Sequence, residues 1–466
     1  MLAQARPAAL ALLLAGAGEA GAVEWSLGGS LSQSFEYDTN IDVEAGGDGT
    51  FIARSALGLG LTAETDVTTW SLNQSFSFDY AFGENGDDDD GNETLNGFRP
   101  NLSGGVRHVY NRLNIGAGFS FRQVSTSDIR VEGVELELPD PDNPEEPDPT
   151  DPDNPTVLGL VVDEDALQTT FDLRGFADYQ LTSRATLSAS TSFNLLRFDN
   201  TIESRTPSES AGASVDWSYR IASQTTTGVG VSLTRFSADN KATGERSTSF
   251  NAGVTGRLSG QFTPRIAYGS SLGLRYTDVD EQNVVAGAVV TDNQTSLGVT
   301  GALNATFLDP LWNVDVALTQ NIAPSDDGQL RNVTSFDLRY DQSIDPRSRF
   351  ALSAGYSLQN SLGDGDPGDD EDDRGIARFG ARYSQSLTRD LDLSVTGTYS
   401  FENDIGGSAA DDGLTQQFLF GTQLNYRLSQ NWTTTLSYSF RAEDGDDGFA
   451  ASNRIGVVLR RSFTLF

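Results

Sequence analysis

Arginine side chains recur in many alternating segments of this sequence, on the face opposite the apolar residues. They are Arg54, Arg99, Arg107, Arg174, Arg220, Arg257, Arg339, Arg378, Arg382, Arg427 and Arg454. A guanidinium stays charged at any ordinary pH, so a wall of such groups would attract anions and select solutes by charge. Aspartates in the same phase, such as Asp172 and Asp216, could instead pair with the arginines across neighbouring strands. Mutual pairing, with solute selectivity as a secondary consequence, is the favoured interpretation.

Runs of aspartate offer a second kind of chemistry, because carboxylate oxygens are the ligands that Ca²⁺ takes. The candidate run contains Asp364, Asp366, Asp369, Asp370, Asp372 and Asp373. Its spacing is not that of an EF-hand, so we expect loosely bound Ca²⁺ rather than a defined metal site. The simpler interpretation is a solvated loop tip whose like charges repel one another. No other cofactor is expected.

The chain contains few residues of the types that usually act in catalysis. Its one histidine, His108, is the only candidate for a histidine general base, and without cysteine the chain has no thiol chemistry. His108 lies two residues before the predicted turn Tyr110-Asn111-Arg112, where an interfacial rim residue is the expected role. No two of the 66 acidic residues are specifically paired by the sequence. We therefore expect that the protein is not an enzyme.

The elements that must position these side chains are β-strands. From Trp432 to Phe440, aromatic and aliphatic residues alternate strictly with threonine and serine, and Leu113 to Arg122 and Leu391 to Phe401 repeat the pattern. Such alternation recurs about twenty times, with aromatic residues at both ends of many strands, which is typical of an outer-membrane β-barrel. The predicted fold is all-β: one transmembrane, antiparallel, up-and-down barrel.

Two kinds of connection join the predicted strands. Short turns centre on Thr65-Asp66, Tyr110-Asn111-Arg112, Thr182-Ser183-Arg184, Ala222-Ser223-Gln224, Gln261 to Pro264, Asp309-Pro310, Asp345 to Arg347, Thr388 to Asp390 and Ser429 to Asn431. Longer acidic loops are predicted around 38–50, 83–94, 126–166, 199–207, 239–246, 280–291, 323–331, 361–373, 404–414 and 442–450. Short turns face the periplasm and long loops face outward in such barrels. About twenty strands (18 to 22) follow, with both termini periplasmic.

The ends of the chain bound the domain. Residues 1–22 contain Arg6, an apolar run and the small-residue site Ala20-Gly21-Ala22, which predict a secretory signal peptide. Residues 23–466 then form the barrel as one domain, and we expect no N-terminal plug because only Val23 and Glu24 precede the first strand. Export places the barrel in the outer membrane of a Gram-negative bacterium, in contact with lipid and lipopolysaccharide, to which Ca²⁺ at the acidic loops could bridge.

The third long loop, 126–166, is rich in proline and acid, notably from Leu138 to Pro155. This composition predicts an extended segment that cannot pack a core of its own. It could enter the bore and face basic wall residues, or remain a solvated external segment, which its self-repulsion favours.

The net charge of −35 argues against a nucleic-acid partner, since phosphates would be repelled. Aromatic side chains inside the lumen would favour sugars. The candidates are few: Phe176, Phe236 and Phe262 could lie inward or in a strand bulge.

The opening strand contains Tyr37, Asp38, Asn40 and Ile41, which resemble the "Tyr-Asp-x-Asn-Ile" start of β-barrel porin families associated with exopolysaccharide production. The resemblance implies an exopolysaccharide-linked outer-membrane role and a polysaccharide-export partner, and it transfers no functional residue. The final residue, Phe466, looks like the signal that the barrel-insertion machinery reads, although the alternation beside it lies in the other phase.

Together these features predict a porin-like channel for passive diffusion of small hydrophilic solutes, selected by size and by the field of wall and loops. The alternative is a structural or export-linked barrel working with exopolysaccharide secretion. An enzyme ranks last.

Overall fold

The structure, a computed structural model, describes residues 23–39, 49–83, 97–125, 167–198, 206–240, 245–285, 288–324, 330–361, 374–404, 414–445 and 448–464. These ranges form one antiparallel sheet of twenty strands. The strands are β1 Glu24–Asp38, β2 Thr50–Glu64, β3 Thr68–Gly83, β4 Gly97–Val109, β5 Leu113–Ser125, β6 Leu167–Gln180, β7 Ala185–Phe198, β8 Ser208–Ala222, β9 Thr225–Asn240, β10 Glu245–Thr263, β11 Ile266–Val285, β12 Ala288–Leu308, β13 Trp312–Pro324, β14 Leu330–Asp345, β15 Ser348–Ser361, β16 Arg374–Ser386, β17 Leu391–Asp404, β18 Leu414–Arg427, β19 Trp432–Gly445 and β20 Gly448–Thr464.

Each strand pairs with the next, and β20 pairs with β1 from Gly28↔Thr464 to Asp38↔Arg454, which closes the sheet into a barrel. The predicted fold class and strand number are confirmed. The described residues contain no helix that is long and apolar enough to cross a membrane.

Alternation gives the wall two faces. In β19 and β18, Leu436 pairs with Leu424 and Phe440 with Phe420, so apolar side chains meet apolar side chains across the strands. Large apolar residues of this face stay exposed, for example Leu297 at 73% and Leu272 at 69%. Exposure of this kind suits a lipid environment, and the opposite, polar face then borders the lumen.

Nine short turns join the strands at one end of the barrel, where the sequence predicted them. Polar side chains shape several of them: Thr65 Oγ1 accepts a hydrogen bond from the amide of Thr68 at 2.9 Å, and Asp345 Oδ1 accepts one from Arg347 at 2.7 Å. Such side chains satisfy backbone donors that a tight turn leaves free. Glu24 and Thr464 also lie at this turn end.

At the other end, the loop end, the structure corrects two predicted loops. The segment 280–291 is mostly paired strand, because β11 runs to Val285 and β12 resumes at Ala288. Likewise, β19 and β20 stay paired within 442–450, as far as Gly445 and Gly448. The acidic and polar residues of these two segments do not end the strands, because the backbone hydrogen bonds of a hairpin continue wherever both of its strands remain extended. Residues 1–22, 126–166, 364–373, Asn40, Ile41 and Phe466 lie outside the described residues, so predictions that rest on them stay predictions.

Candidate functional site: the polar wall of the barrel

The strand register places all the candidate arginines, Arg54 to Arg454, on the polar face. In β2, for instance, Arg54 pairs with Asp79, whereas its neighbour Ala53 pairs with Tyr80 on the apolar face. The arginines therefore share one surface, but they are spread over many strands rather than gathered in one cluster. Their role as lumen-lining groups remains a prediction.

Asp79 is the centre of the most buried ionic group on this face. Arg54 Nε donates to its Oδ1 at 2.8 Å, and Arg99 Nη1 lies 2.8 Å from its Oδ2. The second contact is ionic, and its angle is not that of a directed hydrogen bond. The side chains of Asp79 and Arg99 are only 2% and 5% exposed, while that of Arg54 is 27% exposed. One carboxylate thus contacts arginines from both β2 and β4.

A second ion pair crosses an entire strand. Arg257 Nη1 on β10 lies 2.9 Å from Asp216 Oδ1 on β8, with β9 between them. The two side chains can meet across β9 because β9 carries Gly230 at this point. A Cβ added to Gly230 would collide with the Asp216 carboxylate. Glycine is required here to leave room on the polar face.

At the seam where β20 pairs with β1, an ion pair joins the two strands. Arg454 of β20 donates through Nε to Asp38 Oδ2 of β1 at 2.8 Å, and its Nη1 lies 3.7 Å from Glu36. Ser452 also donates to Asp38, which is 3% exposed. Asp38 therefore joins the last strand to the first. The sequence identified Asp38 as part of a family resemblance but gave no sign of this partner.

Other polar-face groups form hydrogen-bond chains. Arg107 Nε donates to Asn114 Oδ1 at 2.9 Å, and Asn114 Nδ2 donates to Asp178 Oδ2 at 3.2 Å. Asp172 accepts from Ser120 at 2.9 Å and from Asn194 at 2.7 Å. Asp172 is thus held by neutral donors, whereas Asp216 forms the kind of arginine pair that the sequence predicted.

Several candidate arginines form no ion pair with a described residue. They are Arg174, Arg220, Arg339, Arg378 and Arg427. Arg174, Arg339 and Arg378 lie in the middle of their strands, whereas Arg220 and Arg427 lie at the turn end. Arg427 borders a cavity of ≈ 490 Å³ together with Asp392 and Arg460.

Burial of the polar face changes along the barrel. At the loop end, Ser249, Thr277 and Arg331 are at most 2% exposed, and Thr277 Oγ1 donates to Asn251 at 2.8 Å. At the turn end, Arg220 and Arg427 are exposed. The polar face is therefore more buried at the loop end than at the turn end.

Two of the three candidate aromatics lie on the polar face. Phe176 packs over Gly116, and Phe236 is 7% exposed in β9. Phe262 does not: it lies beside a register shift in β10, is 72% exposed and stacks on Tyr268 of the apolar face at 4.2 Å. The register shift places the Phe262 side chain on the apolar side of the sheet, where it forms an aromatic pair with Tyr268 at the turn end.

His108 lies at the turn end on the apolar face. Its Nδ1 is 2.6 Å from Thr68 Oγ1, and its ring meets that of Tyr110 edge-on at 4.1 Å. Among the described residues, no carboxylate contacts the ring to orient it as a general base, and its Nε2 has no hydrogen-bond partner. The described residues also contain no acidic or histidine cluster able to hold a metal ion.

No protein-family model matches the chain, and no curated protein matches it. The FrpB iron transporter from Neisseria meningitidis (F5-1 variant, apoprotein form) is similar in structure, with a TM-score of 0.54, 9% identity, and 94% of this chain and 81% of that chain covered. For the copper transporter OprC the values are 0.52, 10%, 96% and 82%. The chain has an outer-membrane β-barrel fold. Identities near 10% establish the fold alone, and nothing in them supports the exopolysaccharide-associated family specifically.

Proposed function

We propose that this barrel is a porin-like channel of the outer membrane that lets small hydrophilic solutes diffuse passively. The observation that carries the proposal is the polar wall: all described strands belong to one closed sheet, whose lumen-facing side holds charged and hydroxylated residues. Twenty strands spaced about 4.8 Å apart and tilted near 40° enclose a backbone cylinder about 40 Å across. A bore of that width suits an aqueous path.

Selectivity would come from the arginines that form no ion pair within 4 Å among the described residues. Arg174 on β6 and Arg378 on β16 are two of them, ten strands apart and so on opposite walls. The ion-paired arginines contribute less field, because carboxylates lie within 3 Å or so of them. A preference for small anions would be opposed by wall acids such as Asp172 and Asp337 and by the acidic loops outside.

The test is single-channel conductance and reversal potential in a planar bilayer, comparing the refolded mature protein with a variant lacking residues 138–155. Steady conductance in the intact protein supports the channel, and the sign of the reversal potential reports whether wall or loops dominate. Silence that becomes conductance after the deletion indicates a barrel closed by its third loop. Silence in both proteins refutes the channel.

The alternative is an export-linked barrel associated with exopolysaccharide secretion, and it rests on the resemblance at Tyr37, Asp38, Asn40 and Ile41. Phe176 and Phe236 on the polar face are compatible with sugar contact, but a ladder of stacked aromatics is not formed by the described residues. Loss of surface polysaccharide in a deletion strain, with small-solute permeability unchanged, would favour this alternative.

The remaining assignments belong to the same proposal. The short turns and both termini face the periplasm, lipopolysaccharide surrounds the loop end, and the barrel-insertion machinery assembles the protein. Ca²⁺ at Asp364 to Asp373 would be loosely bound. An enzymatic role and a nucleic-acid partner are not proposed.

A further inference from the structure

Charged side chains occupy one sector of the apolar, lipid-facing surface. Toward the loop end, the strand register puts charges on this face in five adjacent strands, β7 to β11. They are Arg197, Glu209, Arg235, Asp239, Arg246, Asp278 and Asp280. Among the described strand residues elsewhere, the loop-end half of this face carries a charge only at Asp444 of β19. We call the seven residues the outer charged band.

The chain itself leaves these charges poorly satisfied. Arg197 and Glu209 approach only to 4.0 Å, with both side chains 47% exposed. Asp278 has a buried Oδ1 without a hydrogen-bond partner among the described residues, and Asp280 accepts one bond, from Asn293 at 2.6 Å. At the same height along the barrel, other strands carry aromatic residues such as Tyr37 and Phe98, which need no counter-charge.

The band is close to neutral and mixed in sign, which does not favour an anionic lipid headgroup. Its order around the barrel is instead self-complementary about β9. On one side lie Arg197 (β7) and Glu209 (β8), and on the other lie Arg246 (β10) and Asp278 (β11). Two copies inserted in the same direction can be related only by a two-fold axis along the membrane normal. That axis at β9 sets β7 against the partner's β11 and β8 against its β10, so Arg197 faces Asp278 and Glu209 faces Arg246, while Arg235 and Asp239 lie beside the axis.

The surface below the band allows close approach. Small residues lie on the apolar face of three of these strands, beside larger ones such as Val254: Ala189, Thr191, Ala211, Ala213, Ala252 and Gly256. Between them β9 presents Val229, Val231 and Leu233, which are 46–50% exposed. Small residues let backbones approach within a membrane, where apolar burial against lipid gives no driving force and packing decides.

We propose that the β7–β11 face binds a second copy of this chain, forming a two-fold dimer in the membrane with the axis at β9. The proposal does not depend on whether the lumen conducts. Electrostatic pairing between outer charged bands sets the register of the two copies, and the small-residue surface below supplies the contact.

Because the native chain has no cysteine, single-cysteine cross-linking tests the axis directly. Val231→Cys lies at the proposed axis, and Leu436→Cys on β19 is a matched control ten strands away, with exposures of 48% and 50% in the parent residues. In outer membranes treated with a mild oxidant, V231C should give a disulfide-linked dimer and L436C none. Equal cross-linking, or none at V231C while the barrel still resists denaturation as a folded species, overturns the proposal.

A charge exchange tests the register. Glu209→Arg should lower the dimer fraction severalfold, measured as mass in lipid nanodiscs at low salt, and E209R combined with Arg246→Glu should restore it. Failure of the double variant to recover overturns the proposed pairing. A monomeric wild-type protein that retains lipopolysaccharide phosphate, lost on Arg235→Gln, would assign the band to lipid and also overturn it.

Discussion

Replacing Asp79 by alanine removes the carboxylate that two arginines share. Arg54 is 27% exposed and can turn to water, but Arg99 is 5% exposed and would stay buried without the carboxylate that lies 2.8 Å from it. Removing one partner of a buried pair costs about 3–5 kcal/mol, mostly from the charge left behind. Asp79→Ala should therefore lower the free energy of unfolding by that amount.

The control is Asp216→Ala, which also breaks a short ion pair. There the side chains of Arg257 and Asp216 are 41% and 23% exposed, so solvent screening reduces the loss to about 0–1 kcal/mol. Both variants are refolded into detergent micelles and unfolded in guanidinium chloride, with tryptophan fluorescence as the readout. Equal losses in the two variants would refute the argument from burial.

A double variant tests whether the buried Arg99 guanidinium causes the loss of stability. If Arg99 is the source of the loss, Asp79→Ala combined with Arg99→Met should recover much of the stability, because the buried guanidinium that faced Asp79 is removed as well. If the double variant is as unstable as D79A, the cause is a cavity or a broken strand register instead.

Three further outcomes follow from the polar wall and the seam. Gly230→Ala should lower stability by about 1 kcal/mol by displacing Asp216 from Arg257, whereas Gly397→Ala, with nothing within 4 Å of the added Cβ, should not. Arg378→Gln should shift the reversal potential in a KCl gradient toward cations, and Arg461→Gln, on the apolar face over Trp432, should leave it unchanged. Arg454→Met should lower the melting temperature in heat-gel assays, because Asp38 at the seam loses its cation.

Much of the architecture could be predicted because a barrel strand has a period of two. Alternation at Trp432 to Phe440 fixed which side chains share a face, and the phase of Arg54 or Arg378 followed from counting. Turn residues such as Thr65 and Asp345 indicated where strands end, since their side chains accept hydrogen bonds from the turn backbone.

The partners of these side chains could not be predicted. Phase places a residue on a face, but pairing depends on which residue of a neighbouring strand lies opposite, and alternation is unchanged when two strands slide by two. Asp216 reaches Arg257 over Gly230 only in one such register. The outward position of Phe262 depends on a register shift that no pattern signalled.

The charge of the chain is divided between its parts. The net charge of −35 suggests cation selectivity, yet long acidic stretches such as 138–155 and 364–373 lie in predicted loops, while arginines recur on the wall. On the wall itself, arginines that form no ion pair with a described residue share the polar face with acids: Asp172 and Asp178 lie on β6 with Arg174, and Asp337 lies near Arg378. An ion crossing the bore would therefore meet a wall of mixed charge below acidic loops. Screening within about 10 Å at 0.1 M salt separates the wall from the loops, so selectivity should vary with ionic strength more than net charge alone implies.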